Sequence, residues 1–166
     1  MKKKSGIFLL LVLLTSCSSR GQTVVFKGTN FSFFYPAGWS IKTATSYVDV
    51  IAPEDHPEEK GREVLSIVSE NTHGMTLRQC YKEYVSDWYD DQHQGTTISE
   101  GNTTINGKQA KWMEYQFGTK GSMISLVYLI YCDEKFFLIS TLSSSKQFPK
   151  YKEKFEVVIN SFTENK

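Results

Sequence analysis

This sequence contains few cysteines and few histidines, and it has almost no net charge. Three cysteines and three histidines among 166 residues are too few for a disulfide-rich scaffold or for a site in which four thiolates bind zinc. The 19 basic and 18 acidic side chains nearly cancel, so the composition offers no electrostatic reason to expect a nucleic-acid ligand. The 40% hydrophobic and 14% aromatic content instead indicates a globular protein rather than a disordered one.

Motifs that would signal catalysis are also missing. The sequence contains no Gly-x-Ser-x-Gly motif, no phosphate-binding loop and no dinucleotide fingerprint. The histidines His56, His73 and His93 are never two or four residues apart, so no zinc site is predicted. The acidic segment around His56, residues 54–61, is interpreted as a solvated loop rather than a site for a hard cation. We therefore expect no catalysis, no cofactor and no bound metal.

The N-terminal residues resemble a secretory signal that ends at a lipid-modified cysteine. Lysines at positions 2–4 precede an apolar run at 7–14, which is much shorter than the roughly 20 residues that a membrane-spanning helix needs. The following Leu14-Thr15-Ser16-Cys17 resembles the lipobox of bacterial lipoproteins, in which the cysteine is diacylated and becomes the new N-terminus. The resemblance implies that Cys17 binds the protein to a membrane through its lipid. The alternative is a plain signal peptide with a coincidental cysteine.

Cleavage before Cys17 would divide the chain into three parts: a signal peptide (1–16), a lipidated tether (17–22) and a folded domain (23–166). The 150 residues that remain carry 16 basic and 18 acidic side chains and are enough for one independent core. The residue after the cysteine is Ser18 rather than Asp, which resembles the pattern sorted to the outer membrane in enteric bacteria. We therefore expect a lipid-anchored envelope protein, on the periplasmic side of the outer membrane rather than at the inner membrane.

Local sequence patterns predict strands joined by tight turns. Alternating or continuous apolar runs predict strands at residues 24–27, 31–35, 47–51, 63–70, 96–105, 109–117, 122–132 and 136–142. Asn106-Gly107 favours a type I′ hairpin between two of them. Pro36 and Gly38 predict a turn, with a positive φ at Gly38, that places Trp39 as a plug at a sheet edge.

Helical spacing predicts two amphipathic helices. One covers residues 75–93, with a capping box formed by Thr76 and Gln79, and the other covers residues 148–162. The strand at 122–132 is apolar on both faces, which indicates that both faces of its sheet are covered. The pattern predicts an α+β fold, in which a central antiparallel sheet has helices on both faces.

Three segments in this order resemble the PsbP-like family, also called the Mog/PsbP fold. They are FSFFYPAGW at 31–39, INGKQA at 105–110, and the closing helix at 148–162. The resemblance covers nearly all of the chain after the tether and implies an α/β/α sandwich. The relatives are mainly non-catalytic and include photosystem extrinsic subunits, a Ran-binding protein, secretion chaperones and bacterial lipoproteins. The family has no general catalytic motif, and no metal ligands are carried over to this sequence.

Two cysteines remain in the folded domain. Cys80 lies on the apolar stripe of the first predicted helix, and Cys132 lies on an apolar strand face. In an oxidising envelope the two residues can form a disulfide if their Cα atoms lie within about 7 Å. The alternative is that they are two separate buried thiols.

Aromatic side chains suggest where a partner could bind. Trp88 and Trp112 are candidate residues of an apolar binding surface, although core packing explains most aromatics in a domain of this kind. The sequence therefore predicts a non-catalytic binding or assembly module with a protein partner in the envelope. The alternative is an envelope enzyme or small-ligand carrier, with a cleft bordered by Trp88, Trp112 and the acidic loop. A chaperone for an apolar segment is a third interpretation.

Overall fold

The computed structural model of the chain describes residues 22–54, 62–87 and 95–165. Within these residues there are ten strands. They are β1 (Thr23–Lys27), β2 (Phe31–Pro36), β3 (Ser40–Thr43), β4 (Tyr47–Ile51), β5 (Val64–Asn71), β6 (Thr96–Ile105), β7 (Lys108–Phe117), β8 (Met123–Cys132), β9 (Lys135–Ser144) and β10 (Thr163–Glu164). Two α-helices accompany them: α1 (Leu77–Tyr81), which continues as a π-helical turn (Lys82–Ser86), and α2 (Phe148–Ser161). A short 3-10 turn (Thr119–Gly121) lies between β7 and β8.

Seven of the strands form one antiparallel sheet in the order β3-β4-β5-β9-β8-β7-β6. Tight turns explain why neighbours in sequence are neighbours in the sheet. Asn106 and Gly107 have φ values of 46° and 81°, as a type I′ turn between β6 and β7 requires. Asp133, at φ 58°, opens the turn between β8 and β9. The predicted antiparallel sheet with two helices is confirmed.

A hydrophobic cluster lies on each side of this sheet because side chains alternate along β8. Leu126 and Ile130 belong to the cluster that contains the buried residues of α2. Val127 and Leu129 belong to the cluster that contains Tyr81 of α1. We refer to these as the α2 cluster and the α1 cluster.

The start of α1 follows the capping pattern that the sequence predicts. The backbone N–H of Gln79 donates to the Thr76 hydroxyl over 3.4 Å, and the Thr76 N–H donates to the Gln79 amide oxygen over 2.9 Å. The prediction of a helix at 75–93 is tested only up to Asp87, because residues 88–94 lie outside the described part of the chain.

Three features of the architecture differ from the sequence prediction. The first two strands form a separate small sheet, in the order β1-β2-β10, rather than part of the large one. β10 and β3 were not predicted; each is short, and each becomes a strand because a neighbouring strand completes its hydrogen bonds. Trp39, which follows Gly38 at φ 88°, lies beside the edge strand β3 but packs beneath α2.

Candidate functional site

The site residues predicted from the sequence are placed unequally by the structure. Trp112 lies on β7, Cys132 on β8 and Cys80 on α1. Cys17 and Trp88 lie outside the described residues, as does most of the acidic segment at 54–61. Of the two tryptophans predicted for a binding surface, only Trp112 lies in the described part of the chain.

Trp112 forms a half-buried aromatic surface together with Tyr128. The two side chains are cross-strand partners on β7 and β8, with ring centroids 6.3 Å apart and planes at 23°. The cross-strand partner of Trp112 on the other side is Gly101 of β6, where an added Cβ would lie only 3.0 Å from the indole nitrogen. The indole therefore packs directly on the backbone of Gly101, where the side chain of any other residue would be in the way.

Charged side chains border this aromatic pair. Lys152 of α2 forms a 2.7 Å ion pair with Glu114 of β7, whose carboxylate is mostly buried. The pKa of Tyr128 is raised, first by its own burial and then by the negative charges of Glu156 and Glu114. An aromatic centre with a polar rim is the arrangement that protein-binding surfaces commonly have.

The edge strand β6 continues the Trp112 surface. It has ten residues, nearly all exposed, and only β7 pairs with it in the large sheet. A β-bulge between Thr97 and Ser99 interrupts the pairing. An exposed strand edge of this length offers backbone hydrogen bonds to an extended partner segment. The alternating pattern predicted the strand itself, but its place at the sheet edge was not visible in the sequence.

A cleft of about 300 Å³ opens at one end of the large sheet, beside the C-terminal strand. Its lining residues are Ile105, Asn106, Lys108, Phe162, Thr163 and Glu164. Glu164 of β10 forms ion pairs of 3.0 Å with Lys108 and 3.4 Å with Lys135. Burial by itself raises the pKa of Glu164, but the hydrogen bonds and charges of the two lysines outweigh it and leave the pKa below its ordinary value. This site was not predictable from the sequence, because its residues come from segments that are far apart in the chain.

Cys132 lies next to this cleft and is unsuited to act as a nucleophile. Burial, assisted by the charge of Glu164, raises the pKa of the Cys132 thiol to about 11. A thiol reacts through its thiolate, so Cys132 remains protonated and inert at neutral pH.

The disulfide suggested for Cys80 and Cys132 is not present in the structure. Both are buried free thiols. Cys80 belongs to the α1 cluster and Cys132 to the α2 cluster, on opposite faces of the large sheet. The alternation along β8 causes the separation, since Cys132 shares its face with Ile130 rather than with Leu129.

The cleft predicted between Trp88, Trp112 and the acidic loop is not tested, because Trp88 and residues 55–61 lie outside the described part of the chain. The cleft at Glu164 and a second one of about 240 Å³ between the β1–β2 and β3–β4 turns both lack Trp112.

In residues 22–54, 62–87 and 95–165 no three His, Cys, Asp or Glu side chains are grouped to hold a metal ion. Over the same ranges, no helix has the length and hydropathy needed to span a membrane.

Comparison with known proteins identifies relatives of this fold. The family model described as PsbP matches residues 21–164. The solution structure of cyanobacterial PsbP (CyanoP) from Synechocystis sp. PCC 6803 superposes with a TM-score of 0.63 at 18% identity, covering 92% of this chain and 99% of that one. LpqN of Mycobacterium tuberculosis, described as involved in cell envelope biogenesis, superposes with a TM-score of 0.68 at 7% identity, covering 87% and 91%. A sequence search of curated proteins found no match.

Proposed function

The chain belongs to the PsbP family, and from this premise we propose that it is a lipid-anchored envelope protein whose folded domain binds a protein partner without catalysis. The observation that carries the binding role is the half-buried Trp112–Tyr128 pair beside the unpaired edge of β6. Tryptophan and tyrosine are the residues on which protein interfaces most often depend for affinity.

The anchor is proposed from the sequence around Cys17. The segment LTSC at 14–17 follows an apolar run too short to span a membrane. Each buried methylene of an acyl chain contributes about 0.8 kcal/mol, so two or more chains hold a protein at a membrane far longer than one. The proposed location is the bacterial envelope, on the periplasmic side of the outer membrane. The structural similarity to LpqN, which is described as involved in cell envelope biogenesis, supports the envelope as the location.

Anchoring also explains how a small binding module can work. A domain held at a surface meets partners on the same surface at a high effective concentration, which increases binding without any additional contact. A partner segment added along β6 would pair with exposed backbone, and its neighbouring side chains would reach Trp112. The surface is thus suited to a partner that presents an extended strand.

Replacing Cys17 by serine is expected to abolish membrane association. Serine provides no thiol for the thioether bond to the lipid, so the precursor should remain unacylated and uncleaved at that position. The measurement is metabolic labelling with a radioactive fatty acid, together with fractionation of membranes and soluble material. Ser18→Ala, which leaves the thiol in place, is the matched control. A Cys17→Ser protein that is still processed and still bound to membranes would rule out this anchor.

Crosslinking from the β6 edge is expected to capture a defined protein partner in cells. A photoreactive residue in place of the exposed Thr103 should yield one reproducible adduct, and the same residue in place of Lys42 on β3 should not. Trp112→Ala should then weaken the adduct, since losing an interface hot spot of about 2 kcal/mol lowers affinity about 30-fold. Circular dichroism of Trp112→Ala checks that the fold is retained.

Absence of any reproducible adduct from position 103 would contradict the binding role. It would favour the alternative function, an envelope enzyme or small-ligand carrier. The observation that favours the alternative is the cleft of about 300 Å³ at Glu164, where Lys108 provides a positive charge beside apolar wall residues.

A further inference from the structure

Exposed apolar side chains are concentrated where the chain enters the folded domain. Val25 of β1 and Phe34 of β2 are 46% and 47% exposed. They are direct partners in the antiparallel pair, so their side chains stand next to each other on one face of the small sheet. The opposite face carries Phe33, which is buried in the α2 cluster. Val25 and Phe34 therefore project away from the core.

The C-terminal half of α2 extends this apolar surface. The Phe34 backbone N–H donates to the Ser161 hydroxyl over 2.8 Å, which fixes the end of α2 against β2. Val157 lies one helical turn before Ser161, on the same side of the helix, and is 42% exposed. We call Val25, Phe34 and Val157 the outer patch.

Lysines border the outer patch. Lys27 is two residues from Val25 on β1, so its side chain lies on the same face of the strand. Lys150, Glu153 and Lys154 precede Val157 and Ser161 at helical spacing, along the same side of α2, so with Lys27 the lysines outnumber the one acidic side chain there. Apolar side chains bordered by lysines suit the interface of a membrane with anionic headgroups.

The length of the tether determines what the outer patch meets. Five residues separate Cys17 from Thr23, where β1 begins, so their Cα atoms are six residue steps apart, and a fully extended chain spans at most about 3.6 Å per step. The start of β1 therefore lies within about 22 Å of a lipidated Cys17. A domain of this size has a radius of gyration of about 15 Å, so β1 cannot lie on the side of the domain farthest from the membrane.

We propose that the outer patch rests on the surface of the bilayer in which the Cys17 lipid is inserted. This inference depends on the proposed anchor and adds an orientation to it. Lys152 lies on a different side of α2 from Val157, and its ion pair with Glu114 directs that side of the helix toward Trp112 and Tyr128. Contact through the outer patch thus leaves the Trp112 surface and the β6 edge accessible to a partner.

The test uses the full chain, purified with its lipid and reconstituted into vesicles of phosphatidylethanolamine and phosphatidylglycerol. A polarity-sensitive fluorophore is attached at Val25→Cys or, as the control, at Ile98→Cys. Ile98 is an equally exposed apolar residue, at 49%, on the distant edge strand β6. Cys80 and Cys132 are buried, so labelling of the native protein is confined to the introduced thiol.

The expected result is a shift of emission to shorter wavelength at position 25, with quenching by spin-labelled lipid, and neither change at position 98. Phe34→Asp in the Val25→Cys protein should reduce the quenching while the protein stays bound to the vesicles. Bound protein with equal, unquenched emission at both positions overturns the orientation and leaves the anchor intact. Protein that does not bind the vesicles overturns the anchor and the orientation together.

Discussion

Replacing Trp39 by alanine is expected to lower the free energy of unfolding by about 3–5 kcal/mol. The indole is 7% exposed and lies where the edge strand β3 meets α2. Its ring centroid is 5.9 Å from that of Tyr151 and 5.7 Å from that of Phe155, with an edge-on angle of 86° to the latter. The substitution removes both aromatic contacts and leaves a cavity beneath the helix, which the rigid sheet cannot fill.

Urea unfolding followed by far-ultraviolet circular dichroism measures this loss. Phe34→Ala is the matched control, because it also removes an aromatic ring but from a position 47% exposed; its effect should stay within about 0.5 kcal/mol. Trp39→Phe, which keeps a ring against Tyr151 and Phe155, should lose less than the alanine variant. A midpoint for Trp39→Ala equal to that of the unmodified chain would show that Trp39 does not hold α2 to the sheet.

The thiol of Cys132 is expected to react about a hundredfold more slowly than an unperturbed cysteine, since each step of one in pKa lowers the thiolate fraction tenfold. Its pKa is about 11 instead of 9.0, with burial as the main cause and the Glu164 charge as the second. Burial also raises the pKa of Cys80. Both thiols should therefore resist alkylation in the folded chain and react readily after denaturation.

Mass spectrometry after timed alkylation, without reductant, checks this prediction. The variants Cys80→Ala and Cys132→Ala assign the two reactions to their residues. Recovery of a Cys80–Cys132 disulfide would contradict the placement of the two residues on opposite faces of the sheet. Rapid alkylation of Cys132 in the native protein would contradict its burial. In the full chain, a lipid on Cys17 would leave no third thiol to react.

Features set by neighbouring residues were predictable from the sequence. The type I′ turn follows from Asn106 and Gly107, which tolerate positive φ more readily than other residues. The capping box follows from Thr76 and Gln79, whose side chains reach each other's backbone over a single helical turn. The apolar character of both faces of β8 predicted that each side of the sheet is covered.

Features that depend on distant parts of the chain were not predictable. β10 forms because the residues after α2 return to β2 and pair with it. A strand of two residues has no sequence pattern from which this pairing could be predicted. The charged site at Glu164 joins Lys108 from one hairpin with Lys135 from another. Trp112 could be identified as a large aromatic residue, but only the tertiary structure shows that Gly101 and Tyr128 are its cross-strand neighbours and that it is partly buried.

The two cysteines of the folded domain show which features local sequence determines and which depend on contacts between distant elements. By itself the sequence determined that Cys132 shares a strand face with Ile130 and that Cys80 lies on the apolar side of a helix, because both follow from local periodicity. Only the tertiary structure decided that α1 covers one face of the sheet and α2 the other. The choice depends on contacts between elements far apart in the chain, which local periodicity cannot encode, and it is these contacts that keep the two thiols apart.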